Sequence, residues 1–148
     1  MRCDFFPTWK EAVQYIRELS AIIFNIQNED QKKRADSTII FLQKYIRKHL
    51  DKDLSLVRLA DLVYLNPSYL SRLYKQISGI NISEYIEHER VKRAQELLQK
   101  NDLRINEIAL QVGYENAASF ARVFKRALGI SPQEYRDNYL LTIQLGAR

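Results

Sequence analysis

Two short segments of the sequence carry hydrogen-bonding and cationic side chains at helical spacing. Serine, asparagine and arginine can bind the edges of DNA bases, arginine can pair bidentately with guanine, and alanine can contact the thymine methyl group. Lysine in such a setting more often binds a phosphate. The candidate base-contacting residues are Ser68, Ser71 and Arg72 in the first segment, and Asn116, Ala117, Ala118, Ser119 and Arg122 in the second. The candidate phosphate-contacting residues are Lys75, Lys125 and Arg126.

The two segments belong to two copies of one sequence pattern. Residues 55–79 (the first copy) match residues 104–129 (the second copy), with Arg72 aligned to Arg122. The offset is 49 in the first part of the match and 50 in the rest, so the second copy has one extra residue in its turn. A solvated surface explains most single arginines, but repetition at the same helical phase favours a shared binding role.

Each copy is typical of two short helices joined by a tight turn. A small residue where the helices cross allows close packing, and Ala60 and Ala109 occupy that position. Gly113 suits the positive φ that such a turn needs. The equivalent residue in the first copy is Tyr64, which predicts a different turn there.

Local signals predict where the second helix of each copy begins and ends. Asn66 and Asn116 are suitable N-terminal caps, and Gly79 and Gly129 can end the helices in the left-handed conformation. Residues 131–134, Ser-Pro-Gln-Glu, form a capping box that predicts a last helix to about residue 139. The sequence beyond it is a tail without a predicted structure.

A long helix is predicted between the copies, from about residue 81 or 83 to Lys100, with Asn101 able to close it. About 18 residues at about 1.5 Å each span about 27 Å. With the helix ends added, this approaches the roughly 34 Å between successive major-groove faces of DNA.

The N-terminal region carries an apolar stripe at coiled-coil spacing. Thr8 and Glu11 have the spacing of a capping box, which predicts a helix start. The stripe, with steps of three and four residues, consists of Trp9, Ala12, Ile16, Leu19, Ile23 and Ile26. Two interpretations stay open: the helix packs on its own domain, or it dimerises the chain or transmits a signal.

Polar residues 28–34 follow this stripe, and they predict a linker or an exposed helical turn. This is the best candidate domain boundary, and a separate helix is predicted from about Ser37 to His49. The predicted division is residues 1–34, a first helix-turn-helix subdomain at 35–80, a linker helix at 81–101, a second subdomain at 102–140 and a tail at 141–148.

Composition limits the fold and the partners. Four glycines and three prolines in 148 residues leave little room for the turns of a sheet, so we predict an all-α fold. Residues 1–30 carry three basic and five acidic side chains, which give a charge of −2. Since the net charge of the chain is +5, the remaining residues carry +7. A basic surplus on a repeated helix-turn-helix pattern favours a nucleic acid partner. The single cysteine, Cys3, and the absence of a membrane-length apolar run predict a cytoplasmic protein.

Catalysis is not indicated by the sequence. His49 and His88 are far apart, and neither has a cysteine or histidine at metal-ligand spacing. We expect no metal, no cofactor and no small-molecule site in this chain.

The paired motifs resemble the DNA-binding domain of the AraC/XylS family of bacterial transcription regulators. The resemblance covers about residues 37–137, through residues 54–60 and 65–75, through Arg90 in the linker helix and through residues 129–136. It implies seven helices in two homeodomain-like subdomains, control of transcription by promoter binding, and RNA polymerase as a possible partner. Family members commonly carry a sensor domain ahead of this one, so we expect the C-terminal part of a longer regulator, whose parent could be membrane-anchored.

The sequence departs from the family pattern in both helices of the second copy. Arg104 replaces a small hydroxyl cap, and Ala117 and Ala118 stand where some members have longer polar residues. The function we predict is sequence-specific binding of double-stranded DNA by two helices in adjacent major-groove segments. The alternative is a protein-interaction module, dimerised through the N-terminal stripe, that binds nucleic acid without sequence preference.

Overall fold

The computed structural model describes residues 8–100 and 102–147. Within those residues the chain forms seven helices and no strand, which confirms the all-α prediction. The helices are α1 (Trp9–Lys48), α2 (Leu56–Leu62), α3 (Pro67–Ser78), α4 (Ile82–Gln99), α5 (Ile105–Gln111), α6 (Ala117–Leu128) and α7 (Pro132–Gly146). Pro7, Cys3 and the predicted closing residue Asn101 lie outside the described residues.

The chain divides into two units, residues 1–38 and residues 39–148. In the first unit, α1 begins where the capping pattern predicts, because the Glu11 backbone N–H donates to Thr8 Oγ1 at 3.3 Å. Trp9, Ile16, Leu19, Ile23 and Ile26 of the apolar stripe are all exposed.

The prediction of two separate helices around residues 28–34 is wrong. Residues 28–34 are helical within α1, which ends at Lys48, so of the two readings of this segment the exposed helical turn is observed. The segment contains neither glycine nor proline, and it is rich in glutamate, glutamine, lysine and arginine, which have high helix propensity. The polarity of this segment therefore indicates that it is exposed to solvent, and it does not indicate an interruption of the helix. The two units meet after Thr38.

In the second unit, one hydrophobic core lies around the first helix-turn-helix pair. The end of α1 contributes Ile39, Leu42 and Ile46, and the pair contributes Leu59, Ala60, Leu70 and Tyr74. Ile82, Tyr85 and Ile86 from the start of α4 complete this core.

A second core lies around the second pair and uses the other half of α4. Val91, Ala94, Leu97 and Leu98 of α4 pack with Ile108, Ala109, Val112, Phe120 and Phe124. The linker helix is thus shared between the cores, because each half of its apolar face is buried with a different helix pair.

The last helix begins as predicted and ends later than predicted. Ser131 and Glu134 form the capping box, with the Ser131 N–H donating to Glu134 Oε2 at 2.7 Å and the Glu134 N–H donating to Ser131 Oγ at 3.2 Å. The helix then continues through most of the predicted tail to Gly146, since residues 140–145 contain no glycine or proline to end it. No helix among the described residues is long and apolar enough to span a membrane.

Candidate nucleic-acid interface

The helix α3 presents its polar residues on the side opposite its core contacts. Its N-terminus is capped by Asn66 Oδ1, which accepts from the backbone N–H groups of Ser68 at 2.9 Å and Tyr69 at 3.3 Å. Leu70 and Tyr74 anchor the helix because both side chains are fully buried. Positions 68, 71, 72 and 75 follow one another at helical spacing on the opposite face, where Ser68, Arg72 and Lys75 are exposed and Ser71 is half-buried.

The helix α6 repeats this arrangement at the same helical phase. Asn116 Oδ1 caps it by accepting from the Ser119 backbone N–H at 2.8 Å, and Phe120 and Phe124 are fully buried. Arg122 and Lys125 are exposed on the opposite face. The structure therefore places both predicted arginine and lysine pairs on equivalent outward surfaces.

The short candidate base-contacting side chains on α6 extend less far from the helix than those on α3. Ala118 is exposed, whereas Ala117 and Ser119 are half-buried. Since Asn116 Oδ1 is engaged in the cap, a base contact from Asn116 would use its Nδ2 donors. Arg122 is the only long side chain among the candidate base-contacting residues of the second copy, which are Asn116, Ala117, Ala118, Ser119 and Arg122.

The outward polar faces of α3 and α6, which we call the recognition surfaces, are each supported by a bracing helix with a buried alanine. Ala60 of α2 and Ala109 of α5 are completely buried at the predicted crossing positions. Each alanine carbonyl also accepts from the backbone N–H five residues later, at 3.0 Å from Leu65 and 2.9 Å from Tyr114.

The prediction of a different turn in the first copy is wrong. Tyr64 adopts a φ of +54°, in the same left-handed region as Gly113 at +89°. Equivalent hydrogen bonds close the two turns, from the Tyr64 N–H to Asp61 O at 3.3 Å and from the Gly113 N–H to Leu110 O at 3.1 Å. The side chain of Tyr64 is 96% exposed, so no packing opposes a bulky residue at this turn.

The predicted phosphate contacts have different surroundings. Lys75 and Lys125 are exposed in the last turns of α3 and α6. Arg126 instead forms an ion pair with Glu87 of α4, with Nη2 at 2.7 Å from Oε2. The hydrogen bond that Arg126 donates to Glu87 raises the pKa of Arg126. Arg126 must leave or share this partner before it can bind a phosphate.

Tyr69 is a candidate contact that sequence reasoning missed. It lies on α3, is 48% exposed, and aligns with Ser119 at the offset of 50 that matches Arg72 to Arg122. The repeat itself carried this signal, since Ser119 was a candidate and its partner was not.

The cap of α5 shows how Arg104 replaces a hydroxyl residue. Its side chain has no acceptor atom, so only half of a capping box forms, in which the Arg104 N–H donates to Glu107 Oε2 at 2.7 Å. In the first copy, Ser55 Oγ accepts from the Arg58 N–H at 3.4 Å, and both the N–H and the hydroxyl of Ser55 donate to Asp53. These bonds lower the pKa of Asp53.

The two histidines lie apart from these surfaces. His49 Nδ1 lies 2.8 Å from the Tyr45 carbonyl oxygen, and its ring stacks on Tyr45 at 4.1 Å between centroids. His88 is exposed on α4. The described residues contain no group of histidine, cysteine, aspartate or glutamate side chains that could hold a metal ion.

Comparisons with known proteins agree with this geometry. Residues 59–138 match a family model described as a helix-turn-helix domain. The regulatory protein PocR of Salmonella typhimurium is 37% identical over 102 residues, which cover 69% of this chain and 34% of PocR. The chain thus spans about a third of this curated relative.

Solved structures show the same fold. The C-terminal domain of AraT, a response regulator from Geobacillus stearothermophilus, superposes with a TM-score of 0.66 at 38% identity, covering 68% of this chain and 84% of that one. The DNA-binding domain of AdpA, a global transcriptional factor, was solved in complex with a target DNA. It superposes with a TM-score of 0.65 at 26% identity, covering 68% of this chain and 91% of that one.

Proposed function

The chain belongs to the AraC/XylS family of helix-turn-helix transcription regulators, and we propose that it binds promoter DNA in a sequence-specific manner. In this proposal α3 and α6 enter two adjacent major-groove segments of one duplex. A single chain then binds a two-part, non-palindromic site, because it carries two related but unequal recognition helices.

One observation carries this proposal: two capped helices present an arginine and a lysine at the same phase, opposite fully buried anchors. Arg72 and Lys75 on α3 correspond to Arg122 and Lys125 on α6. The 18 residues of α4 between the two pairs span about 27 Å at about 1.5 Å per residue. With the flanking turns, that length suits two successive groove segments about 34 Å apart.

We assign most of the sequence choice to the first copy. Ser68, Ser71 and Arg72 provide hydroxyl and guanidinium groups that can bind base edges. The equivalent residues of the second copy are Ala118, Ala121 and Arg122, so its direct readout is limited to Arg122, Ser119 and methyl contacts. Lys75, Lys125 and Arg126 are the proposed phosphate ligands, and they contribute affinity without sequence preference.

Selection of duplexes from a random pool by the 148-residue chain tests the proposed function. We expect one family of sequences to emerge, and to bind at least about a thousandfold more tightly than a scrambled duplex at physiological salt. Equal affinity for the selected and the scrambled duplex would contradict sequence-specific binding.

We also propose that the apolar stripe of α1 dimerises the chain. Trp9, Ile16, Leu19, Ile23 and Ile26 are exposed at coiled-coil spacing, and a second copy of the same stripe is the partner that this repeat fits. Sedimentation of the unaltered chain should give twice the mass of one chain.

A charge placed in the stripe should break this dimer. We expect Ile16→Asp to sediment as a monomer, while Asn28→Asp, on the opposite face of α1, stays dimeric. A monomeric unaltered chain, or an equal effect of the two substitutions, would remove the dimer proposal without affecting DNA binding by one chain.

Three further expectations concern a partner, a location and catalysis. We propose RNA polymerase as a partner on the promoter, which a slower-migrating ternary complex with the selected duplex would support. We propose a cytoplasmic location, which cell fractionation can check. We propose no catalytic role, and incubation with the selected duplex should leave the DNA chemically unchanged.

A further inference from the structure

Gly113 is enclosed in a way that the other turn and cap glycines are not. Gly79, Gly113 and Gly129 all have positive φ, at +80°, +89° and +79°. A Cβ atom added to Gly79 or Gly129 would meet nothing within 4 Å. A Cβ on Gly113 would collide with the carbonyl oxygen of Leu50, and it would lie 2.8 Å from Arg90 Nη2 and 2.9 Å from Arg90 Cζ.

Gly113 and the two residues that enclose it come from three different parts of the second unit. Leu50 follows α1 and is buried in the first core, Arg90 lies on the linker helix α4, and Gly113 forms the turn of the second copy. The turn between α5 and α6 therefore lies directly against the backbone of the first subdomain. Only glycine permits this approach, since any side chain would occupy the space of the Leu50 carbonyl.

Arg90 covers the same contact from the side of the linker helix. Its Cζ lies 5.5 Å from the centre of the Tyr114 ring, a cation–π distance. Its Nε is buried and has no hydrogen-bond partner among the described residues. The Arg90 guanidinium is therefore held beside the turn by packing against Gly113 and Tyr114, and not by a hydrogen bond from Nε.

The first copy has no counterpart of this contact. Tyr64, the equivalent of Gly113, is 96% exposed. The helix-turn-helix pattern itself therefore does not need an enclosed turn. The contact made by Leu50, Arg90, Gly113 and Tyr114, which we call the joint, belongs to the relation between the two subdomains.

We propose that the joint fixes the orientation of the second recognition helix relative to the first, and thereby sets the base-pair spacing between the two parts of the DNA site. Arg90 and Gly113 are positioning residues in this view, and neither lies on the recognition surface of α3 or α6. This inference rests on the proposed function. Each added base pair moves the second half-site by about 3.4 Å and rotates it by about 35° around the duplex, so a rigid protein accepts one spacing and a loosened one accepts several.

The test uses the duplex that the unaltered chain selects, together with versions shortened by one base pair or lengthened by one or two between the two parts. We expect the unaltered chain to lose at least about tenfold in affinity for each altered spacing, equivalent to about 1.4 kcal/mol. Arg90→Ala should flatten this profile to less than about threefold. Arg90→Lys should fail to restore it, because an ammonium group cannot stack as the planar guanidinium does.

Gly113→Ala provides a second variant, and Gly129→Ala its matched control. Both place a Cβ at a positive φ, but only the first intrudes on the joint. We expect Gly113→Ala to flatten or shift the spacing profile and Gly129→Ala to retain it, with circular dichroism confirming that the variants are helical.

Two results would overturn the proposal in different ways. An unchanged, sharp spacing profile in Arg90→Ala would show that the joint does not set the spacing, while leaving the proposed function intact. Failure of the unaltered chain to select any duplex would contradict the proposed function. It would then also contradict the role of the joint, which depends on that function.

Discussion

The two helix-turn-helix copies are alike where they support their helices and different where those helices face outward. Asn66 and Asn116 cap the recognition helices through equivalent hydrogen bonds, which their Oδ1 atoms accept from the backbone N–H groups of Tyr69 and Ser119. Gly79 and Gly129 end them with N–H groups that donate to Lys75 O and Lys125 O. By contrast, the hydroxyls of the first outward face are replaced by methyl groups in the second. Backbone hydrogen bonding constrains the supporting residues, whereas under the proposed function the DNA constrains the outward ones.

The turns differ in a second way, through their surroundings. Both have left-handed backbone, but Tyr64 is open to solvent while Gly113 is enclosed by Leu50 and Arg90. The same local geometry is therefore filled by a bulky residue in one copy and restricted to glycine in the other. Long-range packing and not the turn itself makes the difference.

The largest effect that distinguishes the copies is expected from alanine at Gly113. Left-handed backbone costs a non-glycine residue about 1–2 kcal/mol, and forcing a Cβ against Leu50 and Arg90 adds about 1–3 kcal/mol of overpacking. We expect Gly113→Ala to lower the free energy of unfolding by about 2–5 kcal/mol in chemical denaturation.

Gly129→Ala separates the backbone cost from the packing cost. It has nearly the same φ and open space around it, so we expect a loss of about 1–2 kcal/mol. Equal losses in the two variants would mean that the enclosure of Gly113 contributes nothing to stability.

A smaller effect of opposite sign is expected at Tyr64. Glycine there removes the left-handed strain, and we expect Tyr64→Gly to stabilise the fold by about 1 kcal/mol relative to Tyr64→Ala. Tyr64→Ala removes the exposed ring and keeps the Cβ, so it isolates the backbone term. The comparison of melting temperatures should favour the glycine variant by about 2–8 °C. A glycine variant no more stable than the alanine variant would show that the first turn is unstrained.

The smallest effect concerns Arg126, whose counterpart in the first copy is the neutral Gln76. Glu87→Gln should weaken the ion pair to Arg126 and free this guanidinium for phosphate. We expect selected and scrambled duplexes to bind about two- to fivefold more tightly, and the salt dependence to steepen by up to about 0.9 in log–log slope.

Glu96→Gln is the matched control for this change. It removes the same charge from α4, and it releases Arg93 in place of Arg126. An equal gain in affinity from both variants would indicate a general charge effect and no specific release of Arg126.

The sequence predicted much of this structure because many of its signals are local. Caps such as Asn66, Asn116 and Ser131 act within three residues, and the outward phase of Arg72 and Arg122 follows from helical periodicity. These features need no knowledge of the rest of the chain.

What the sequence missed depends on residues far apart or on weak local signals. Arg126 and Glu87 are 39 positions apart, and Leu50 and Gly113 belong to different subdomains that are far apart in the sequence. The sequence predicts a different turn at Tyr64 because tyrosine seldom takes a positive φ, yet equivalent hydrogen bonds close both turns. Residues 28–34 are polar, which is typical of a linker. Polarity, however, indicates exposure to solvent and does not show whether the exposed segment is helical.

Under the proposed function, the two similar helices α3 and α6 contribute unequally to sequence choice. Its most direct test is the ratio of affinities for the selected and the scrambled duplex, measured for Arg72→Ala and for Arg122→Ala under the same salt conditions. We expect the ratio to fall about 10- to 100-fold for Arg72→Ala, equivalent to about 1–3 kcal/mol of discrimination, and by a clearly smaller factor for Arg122→Ala. An equal or larger fall for Arg122→Ala, or an unchanged ratio for Arg72→Ala, would contradict the assignment of sequence choice to the first copy.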